Sequence, residues 1–324
     1  MDHAVEEQGE DGDIFVYRGG RAPQHVTHAL IDKSVNEIEE DSFRGCQRLL
    51  TVETHDGIRR VGKYAFRFCR YLRRINLKSV VEINGWAFYR CENLESVEFG
   101  DRLETIGYAA FEHCHSLPHL KLPTIITIGT CAFWYCQSLT DIELPERLET
   151  IGRQAFYGCE RLQRIAIPLK RNLFAFSDRF QKYNQFDYCD QLTTVDLVGG
   201  IHETVASLHM ESWRSEMIAE INRINQVLPN TRAGEKTDAI RPWMDSVIDK
   251  RDHYKAEHCR YVKEGIALLE LAVWKAKLDE KEDNCVEGRT KKTKVDAESY
   301  RRDKRITCGA DMVIKNILPF LQLK

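Results

Sequence analysis

The chain has 324 residues, 43% hydrophobic and 30% charged, and its 47 lysines and arginines nearly cancel 50 acids. That length suits one elongated domain with a smaller second one, and a net charge of -3 gives no general attraction to nucleic acid or to an anionic membrane. No apolar run approaches the ~18–20 residues of a membrane helix, and the acidic start MDHAVEEQGEDGD is unlike a secretory leader, so a soluble cytoplasmic protein is expected.

Residues 1–13 read as an acidic disordered tail. Ile14-Phe-Val-Tyr17 is a strand candidate closed by Gly19-Gly20, and residues 1–25 are assigned to this tail and an N-terminal cap. From 26 to 200 the chain repeats itself. Anchor phenylalanines stand at Phe43, Phe66, Phe88, Phe111, Phe133, Phe156 and Phe186, in steps of 23 and 22 that end with one of 30. Three residues after each comes a cysteine: Cys46, Cys69, Cys91, Cys114, Cys136, Cys159 and Cys189. Three further on comes a leucine, from Leu49 to Leu192, and then an aliphatic, from Val52 to Val195. In Ile151–Ile167 the frame reads I-G-x-x-A-F-x-x-C-x-x-L-x-x-I-x-I.

The L-x-x-I-x-I part alternates with period two, which predicts a short strand with one buried face. Proline or glycine often follows, as at Gly100, Pro123, Pro145 and Pro168. The I-G step is read as a backbone bend, and A-F-x-x-C as a short helical or turn segment. No unit buries its own apolar edge, so the units must stack. The expected fold is an α/β solenoid of short parallel strands, one per 22–23-residue coil, followed by an all-α region.

This frame resembles the BspA-type leucine-rich repeat, and in particular the intracellular leucine-rich-repeat proteins expanded in diatoms. VTHALIDKSV, YNQFDYCDQLTTVDLVGGIHETVASLH, ELAVWKAKLDEK and CGADMVIKNILPF extend the resemblance almost end to end. It implies a leucine-rich-repeat solenoid that binds proteins.

The long step holds an insertion loop near 169–185 with Phe174, Phe176, Phe180 and Tyr183, expected to pack on the last coil rather than form a peptide-binding lip. After Gly199-Gly200 the period becomes helical: Met210, Trp213, Met217, Ile221, Ile224 and Leu228 share a face. Thr237 is a candidate N-cap for a second stripe, Ile240, Trp243, Val247, Tyr254, His258, Tyr261, Leu268, Ala272 and Ala276, in one helix or two. Residues 201–282 are thus assigned to a helical cap, 283–297 to a charged linker and 298–324 to a C-terminal helix.

One thiol per coil suggests a disulfide or metal ladder, but C-x-x-C spacing is absent and buried structural thiols are expected. The second coil is basic, with Arg59, Arg60, Lys63, Arg67, Arg70, Arg73, Arg74 and Lys78. Register sets Arg70 beside Glu92 and Arg73 beside Glu95, so a partly paired surface outweighs phosphate binding. Trp86, Tyr89, Trp134, Tyr135 and Tyr157 flank the turn segments; they are expected to tile one another and shield the ladder, and a display stripe for a partner is the sharper alternative. His113, His115 and His119 lack a matching acid or serine and are read as surface residues. Lys291-Lys292-Thr-Lys294 and Arg301-Arg302-Asp-Lys304-Arg305 have a bipartite nuclear-import form, set against a plain charged linker.

These readings lead to a non-catalytic protein-binding scaffold, partner unknown, with no catalytic, cofactor or metal residues. Its candidate partner surface is Trp86, Tyr89, Trp134, Tyr135, Tyr157, Arg73 and Arg74, and its helical C-terminal region is a candidate for self-association. The alternative is a nucleic-acid or phosphate binder using the basic second coil and the basic C-terminal tail.

Overall fold

An L-x-x-I-x-L run buries one face and then stops, so each repeat yields a strand too short to stand alone. The computed structural model describes residues 14–174, 184–198 and 211–287 and shows those strands stacked in parallel. β1 (Ile14–Tyr17), β2 (His28–Ile31), β4 (Thr51–Glu53), β6 (Arg74–Leu77) and β8 (Ser96–Phe99) form one sheet in that order. A second contains β10 (His119–Lys121), β12 (Asp141–Glu143), β14 (Arg164–Ile167) and β15 (Thr194–Leu197). The third is built from two-residue strands at the I-G step: β3 (Glu37–Ile38), β5 (Arg60–Val61), β7 (Glu82–Ile83), β9 (Thr105–Ile106), β11 (Thr127–Ile128) and β13 (Thr150–Ile151).

The break between the first two sheets has a covalent cause. In neighbouring coils the residue after the leucine donates its N–H to its counterpart one coil back: Glu95 to Arg73, Thr140 to Pro118 and Gln163 to Thr140, at 2.8–3.1 Å. Between Glu95 and Thr140 that residue is Pro118, which has no N–H to donate, so β10 does not join the ladder of β8.

Inside the coils the seven anchor phenylalanines form one stack. Successive ring centroids lie 4.9–5.6 Å apart, tilted by no more than 11°. Tyr17 of β1 heads the stack 5.0 Å from Phe43, its hydroxyl 2.8 Å from Ser42 Oγ. Each contact adds about 0.5–1.5 kcal/mol to the burial of the rings. Beside the stack runs the thiol ladder. Cys69 Sγ donates to the carbonyl of Phe43 one coil back at 2.9 Å, and Cys91, Cys114, Cys136, Cys159 and Cys189 repeat the bond to Phe66, Phe88, Phe111, Phe133 and Phe156 at 3.1–3.3 Å. These thiols are free and buried, and burial pushes their pKa well up. Cysteine fits here because it is small, apolar in bulk and carries a weak donor.

The I-G glycine acts differently from a bend. None of Gly62, Gly107, Gly129 and Gly152 has a left-handed φ, and each lies against the backbone of the coil before. A Cβ at Gly129 would stand 2.6 Å from the Gly107 carbonyl carbon. Glu39 occupies this position in the first coil, where β3 is the edge strand and no earlier strand crowds it. The third coil departs from the pattern with Asn84-Gly85.

The last coil must satisfy donors that earlier coils direct at their successors. Phe43 donates its N–H to Ala65 O and Gly45 donates to Arg67 O, and the pattern repeats along the stack. At the end, Phe186 N–H finds Thr237 Oγ1 at 2.9 Å, Tyr188 N–H finds Ala233 O at 3.0 Å and Val195 N–H finds Asn225 Oδ1 at 2.8 Å. These acceptors belong to α1 (Glu211–Val227), a following turn of 3-10 helix at Ala233–Glu235, and α2 (Lys236–Glu287). Thr237 is therefore the acceptor for the last coil, and α2 opens one residue earlier. Buried Lys236 donates to Leu192 O at 2.9 Å and also to Leu228 O, and burial lowers its pKa. Trp213, Met217, Ile224, Leu228, Ile240, Trp243 and Val247 are buried as the stripes predict.

α2 is a single helix and runs five residues into the expected charged linker. Two compact units are distinguished, residues 1–249 and 250–324. Phe174 is buried edge-on to Phe186 at 5.8 Å, the expected packing of the insertion. Phe176, Phe180, Tyr183, the acidic tail, Lys291–Arg305 and the C-terminal helix expected within 298–324 lie outside the described residues.

Gly129→Ala is expected to cost about 1–3 kcal/mol by forcing two coils apart. Glu39→Ala, at the same repeat position without a coil behind it, is expected to cost only the hydrogen bond its carboxylate accepts from Gly20 N–H, about 0.5–1.5 kcal/mol, with no steric penalty. Paired thermal and urea melts check both.

Candidate partner-binding surface

The A-F-x-x-C segments form tight turns with no helical residues. In the first six coils two residues are left-handed, one two before the anchor phenylalanine and one two after it, and the last coil keeps the second alone. The first set is Asp41, Tyr64, Trp86, Ala109, Cys131 and Gln154, and the second is Gly45, Phe68, Arg90, His113, Tyr135, Gly158 and Tyr188. Such a conformation costs a non-glycine residue roughly 1–2 kcal/mol. Glycine escapes that cost at Gly45 and Gly158, yet aromatic rings hold five of the other corners.

Those rings line two ladders that flank the phenylalanine stack. In one, Tyr64 and Trp86 stack at 5.2 Å and Trp86 meets Tyr108 edge-on at 4.7 Å. Lys63 Nζ lies 4.8 Å from the Tyr64 ring centroid and 5.2 Å from that of Trp86. The other runs Phe68, Tyr89, His113, Tyr135, Tyr157 and Tyr188 at 5.1–6.1 Å, with Trp134 against Tyr135 and Tyr157. Arg67 joins them, its guanidinium 5.1 Å from Tyr64, 4.7 Å from Phe68 and 5.2 Å from Tyr89.

The five aromatics singled out in the sequence are thus on the turn face. They tile one another: Trp86, Tyr89, Trp134 and Tyr135 are half-buried and Tyr157 is buried. Tyr108 and Tyr188 are more exposed, and the sequence reading does not single them out although Tyr188 holds the repeat position of Tyr135. Arg73 and Arg74 are not brought to these rings. Arg74 opens β6 on the strand side, Arg73 precedes it, and both are exposed.

Much of the basic coil is engaged within the fold. Arg60 lies between Glu37 and Glu82, Arg70 meets Glu92 at 3.6 Å and Lys78 meets Glu98 at 2.8 Å. Arg59 donates to Ser79 O. The expected Arg73–Glu95 pairing is one of backbones, Glu95 N–H to Arg73 O at 2.9 Å, and no side-chain ion pair joins the two. On the strand side Arg164 bridges Asp141 and Asp196 at 3.3 and 3.0 Å.

One acid stands inside the turn face. Glu112 occupies the position after Phe111, in the file that holds Arg67, Tyr89 and Trp134 in other coils. Burial raises its pKa from the ordinary 4.5 to about 7, against the pull of Arg90 and Arg67. His113 Nε2 approaches it at 3.7 Å while His113 Nδ1 lies 3.2 Å from His115 Nε2. Burial, then Arg90 and His115, lower the His113 pKa. The expectation of plain surface histidines fails for His113, which stacks on Tyr135 at 5.3 Å. Among the described residues there is no group of three or more histidine, cysteine or acidic side chains placed to hold a metal ion. No described helix is long and apolar enough to cross a membrane.

Coils of 22–23 residues, each with a short parallel strand and a buried leucine, cysteine and phenylalanine, define a leucine-rich-repeat solenoid. The BspA type Leucine rich repeat region matches residues 23–137 and 104–226, in six copies. The chain belongs to that family. Among solved structures it is similar to a leucine-rich-repeat protein of T. pallidum, with 21% identity over 65% of this chain and 88% of that one and a TM-score of 0.37. A leucine-rich cell surface protein of Faecalibacterium prausnitzii gives 22% identity, 56% and 62% coverage and the same score, 0.37. A leucine-rich-repeat protein from Bacteroides ovatus gives 24% identity, 53% and 49% coverage and a TM-score of 0.37. No curated protein matches the chain.

Because Glu112 binds its proton more tightly folded than unfolded, its contribution to stability is full below about pH 4.5 and is lost as pH rises through about 7. Glu112→Gln is therefore expected to leave stability at pH 5 nearly unchanged and to raise it at pH 8.5, by about 1–3 kcal/mol. Urea titrations at the two pH values read the difference.

Proposed function

We propose that this protein is a non-catalytic scaffold that binds another protein through its turn face. The observation that carries the proposal is the occupancy of the left-handed corners. Tyr64, Phe68, Trp86, Tyr135 and Tyr188 hold a conformation that glycine adopts without strain elsewhere in the same frame. Strain of this kind persists where a surface is under a second demand. Tyrosine, tryptophan and arginine are the side chains that dominate protein–protein hot spots, and the two ladders with Arg67 concentrate all three. Rings fixed by their neighbours lose little side-chain entropy on binding. Membership of a leucine-rich-repeat family supports the same reading at the level of class. The nucleic-acid alternative draws less support, since Arg60, Arg70 and Lys78 already face acids.

The test separates display from packing. Trp86→Gly and Tyr135→Gly each remove a ring and relieve a strained corner, which offsets part of the lost ring contacts, so stability is expected to fall by no more than about 1–3 kcal/mol with the fold intact. A protein captured by the full chain from its native cell should be lost with both variants and retained with Arg73→Ala/Arg74→Ala. Retention with both glycine variants would sink the turn-face assignment. Capture of nucleic acid alone, released by salt, would move the reading to the basic coil.

A further inference from the structure

Charge on the turn face is unevenly balanced, and the excess sits on its first coils. There Arg44 meets Asp41 at 3.1 Å and Arg70 meets Glu92 at 3.6 Å. Lys63, Arg67 and Arg90 join no ion pair among the described residues. They rest on rings instead. Lys63 lies against Tyr64 and Trp86, and Arg67 against Tyr64, Phe68 and Tyr89. Arg90 lies against Tyr89, to whose hydroxyl its Nε donates at 3.3 Å. Cations and rings thus alternate, and each cation shares a ring with the next. Arg67 Nε is enclosed and donates to no acceptor, which is costly until an acceptor arrives. The acid that feels Arg90 and Arg67 is Glu112, and burial raises its pKa to about 7, so it is only partly ionised near neutral pH. Three positive charges are left without a full counter-charge.

We infer that Lys63, Arg67 and Arg90 receive the carboxylates of an acidic segment of the partner protein. This rests on the turn-face reading above and adds the partner's chemistry to it. Arg67 and Arg90 are half-buried, so salt screens their charge less than that of an exposed side chain. A guanidinium held flat against rings is pre-organised to give a carboxylate two parallel N–H bonds. Two observations favour carboxylates over nucleic acid. First, Tyr64, Trp86 and Tyr89 each already touch another ring and a cation, which takes up the stacking platform that single strands use. Second, three cations fall short of the about six or more phosphate contacts of a duplex binder, on a chain whose net charge is -3.

The probe is a fluorescein-labelled peptide of alternating glutamate and glycine, titrated by anisotropy into the full chain at low salt. Its Kd is expected to rise at least tenfold in Arg67→Gln/Arg90→Gln. In Lys63→Gln, where the side chain is exposed and not needed for packing, it should rise at least threefold. Arg73→Gln/Arg74→Gln removes as much charge from the strand side and should change it less than twofold. Thermal melts establish that each variant is folded. An unchanged Kd in Lys63→Gln and Arg67→Gln/Arg90→Gln would overturn the inference, as would an equal loss in Arg73→Gln/Arg74→Gln. Tighter binding of a single-stranded oligonucleotide of equal charge would overturn it too. A protein captured from the native cell separates this inference from the one beneath it. If capture is lost with Trp86→Gly and Tyr135→Gly but kept with Arg67→Gln/Arg90→Gln, the turn face stands and the acidic partner falls. If every one of these variants keeps it, the turn face itself falls.

Discussion

Everything in this solenoid depends on one inter-coil contact, the seating of each A-F-x-x-C turn on the turn before it. Three interactions act there together. The phenylalanine ring stacks on its predecessor, the thiol three residues later donates to the predecessor's carbonyl, and the backbone N–H of the phenylalanine donates forward to the next coil's alanine. Alanine and glycine let the backbones come close enough for all three. None is strong alone: a stacked pair is worth about 0.5–1.5 kcal/mol and a hydrogen bond about 0.5–1.5 kcal/mol net. Because each coil contacts only its neighbours, stability is a sum of such interfaces, and an end without a neighbour loses a whole interface.

That constraint explains both termini of the stack. At the start, Tyr17 supplies a ring to Phe43 and binds Ser42 through its hydroxyl, which gives the first aromatic of the stack a polar partner. At the other end, Thr237, Ala233 and Asn225 supply the acceptors that a further coil would have brought. The helical segment from α1 into the first part of α2 thus substitutes for a repeat in hydrogen-bonding terms. Lys236 extends the substitution by reaching the Leu192 carbonyl with its ammonium. The proposed partner surface is separate from that constraint: it lies on the corners, where the sequence varies from coil to coil.

The fold was legible because the stacking contact demands the same residue types in every coil. Phe111, Cys114 and Leu117 announce their roles by recurrence alone, and the helical stripes of Trp213–Leu228 and Ile240–Val247 by their period. Less was legible where one residue has two explanations. The I-G glycine looks like a bend, and only the closeness of Gly107 to Gly129 reveals it as clearance for a neighbouring backbone. Thr237 looks like an N-cap because sequence cannot show that the Phe186 N–H lies opposite it. At the surface, the tiling of Trp134 on Tyr135 and Tyr157 and the burial of Glu112 depend on contacts between coils, which a variable position does not advertise. The left-handed corners carried no signal at all, since aromatic residues occupy the places where glycine would have marked them. Exposure of the stripe residues Tyr261 and Leu268 was hidden for the opposite reason: a good apolar stripe reads as core whether or not anything covers it.

The central claim is that order passes from coil to coil through the forward hydrogen bonds and ends on Thr237. Native-state hydrogen exchange of the full chain, wild type against Thr237→Val, tests it most directly. The account predicts that the Phe186 amide loses about 1–3 kcal/mol of protection, the cost of an orphaned buried donor, with a smaller loss at Phe156 and none at Phe66. An unchanged Phe186 amide, or equal losses at all three positions, would contradict it.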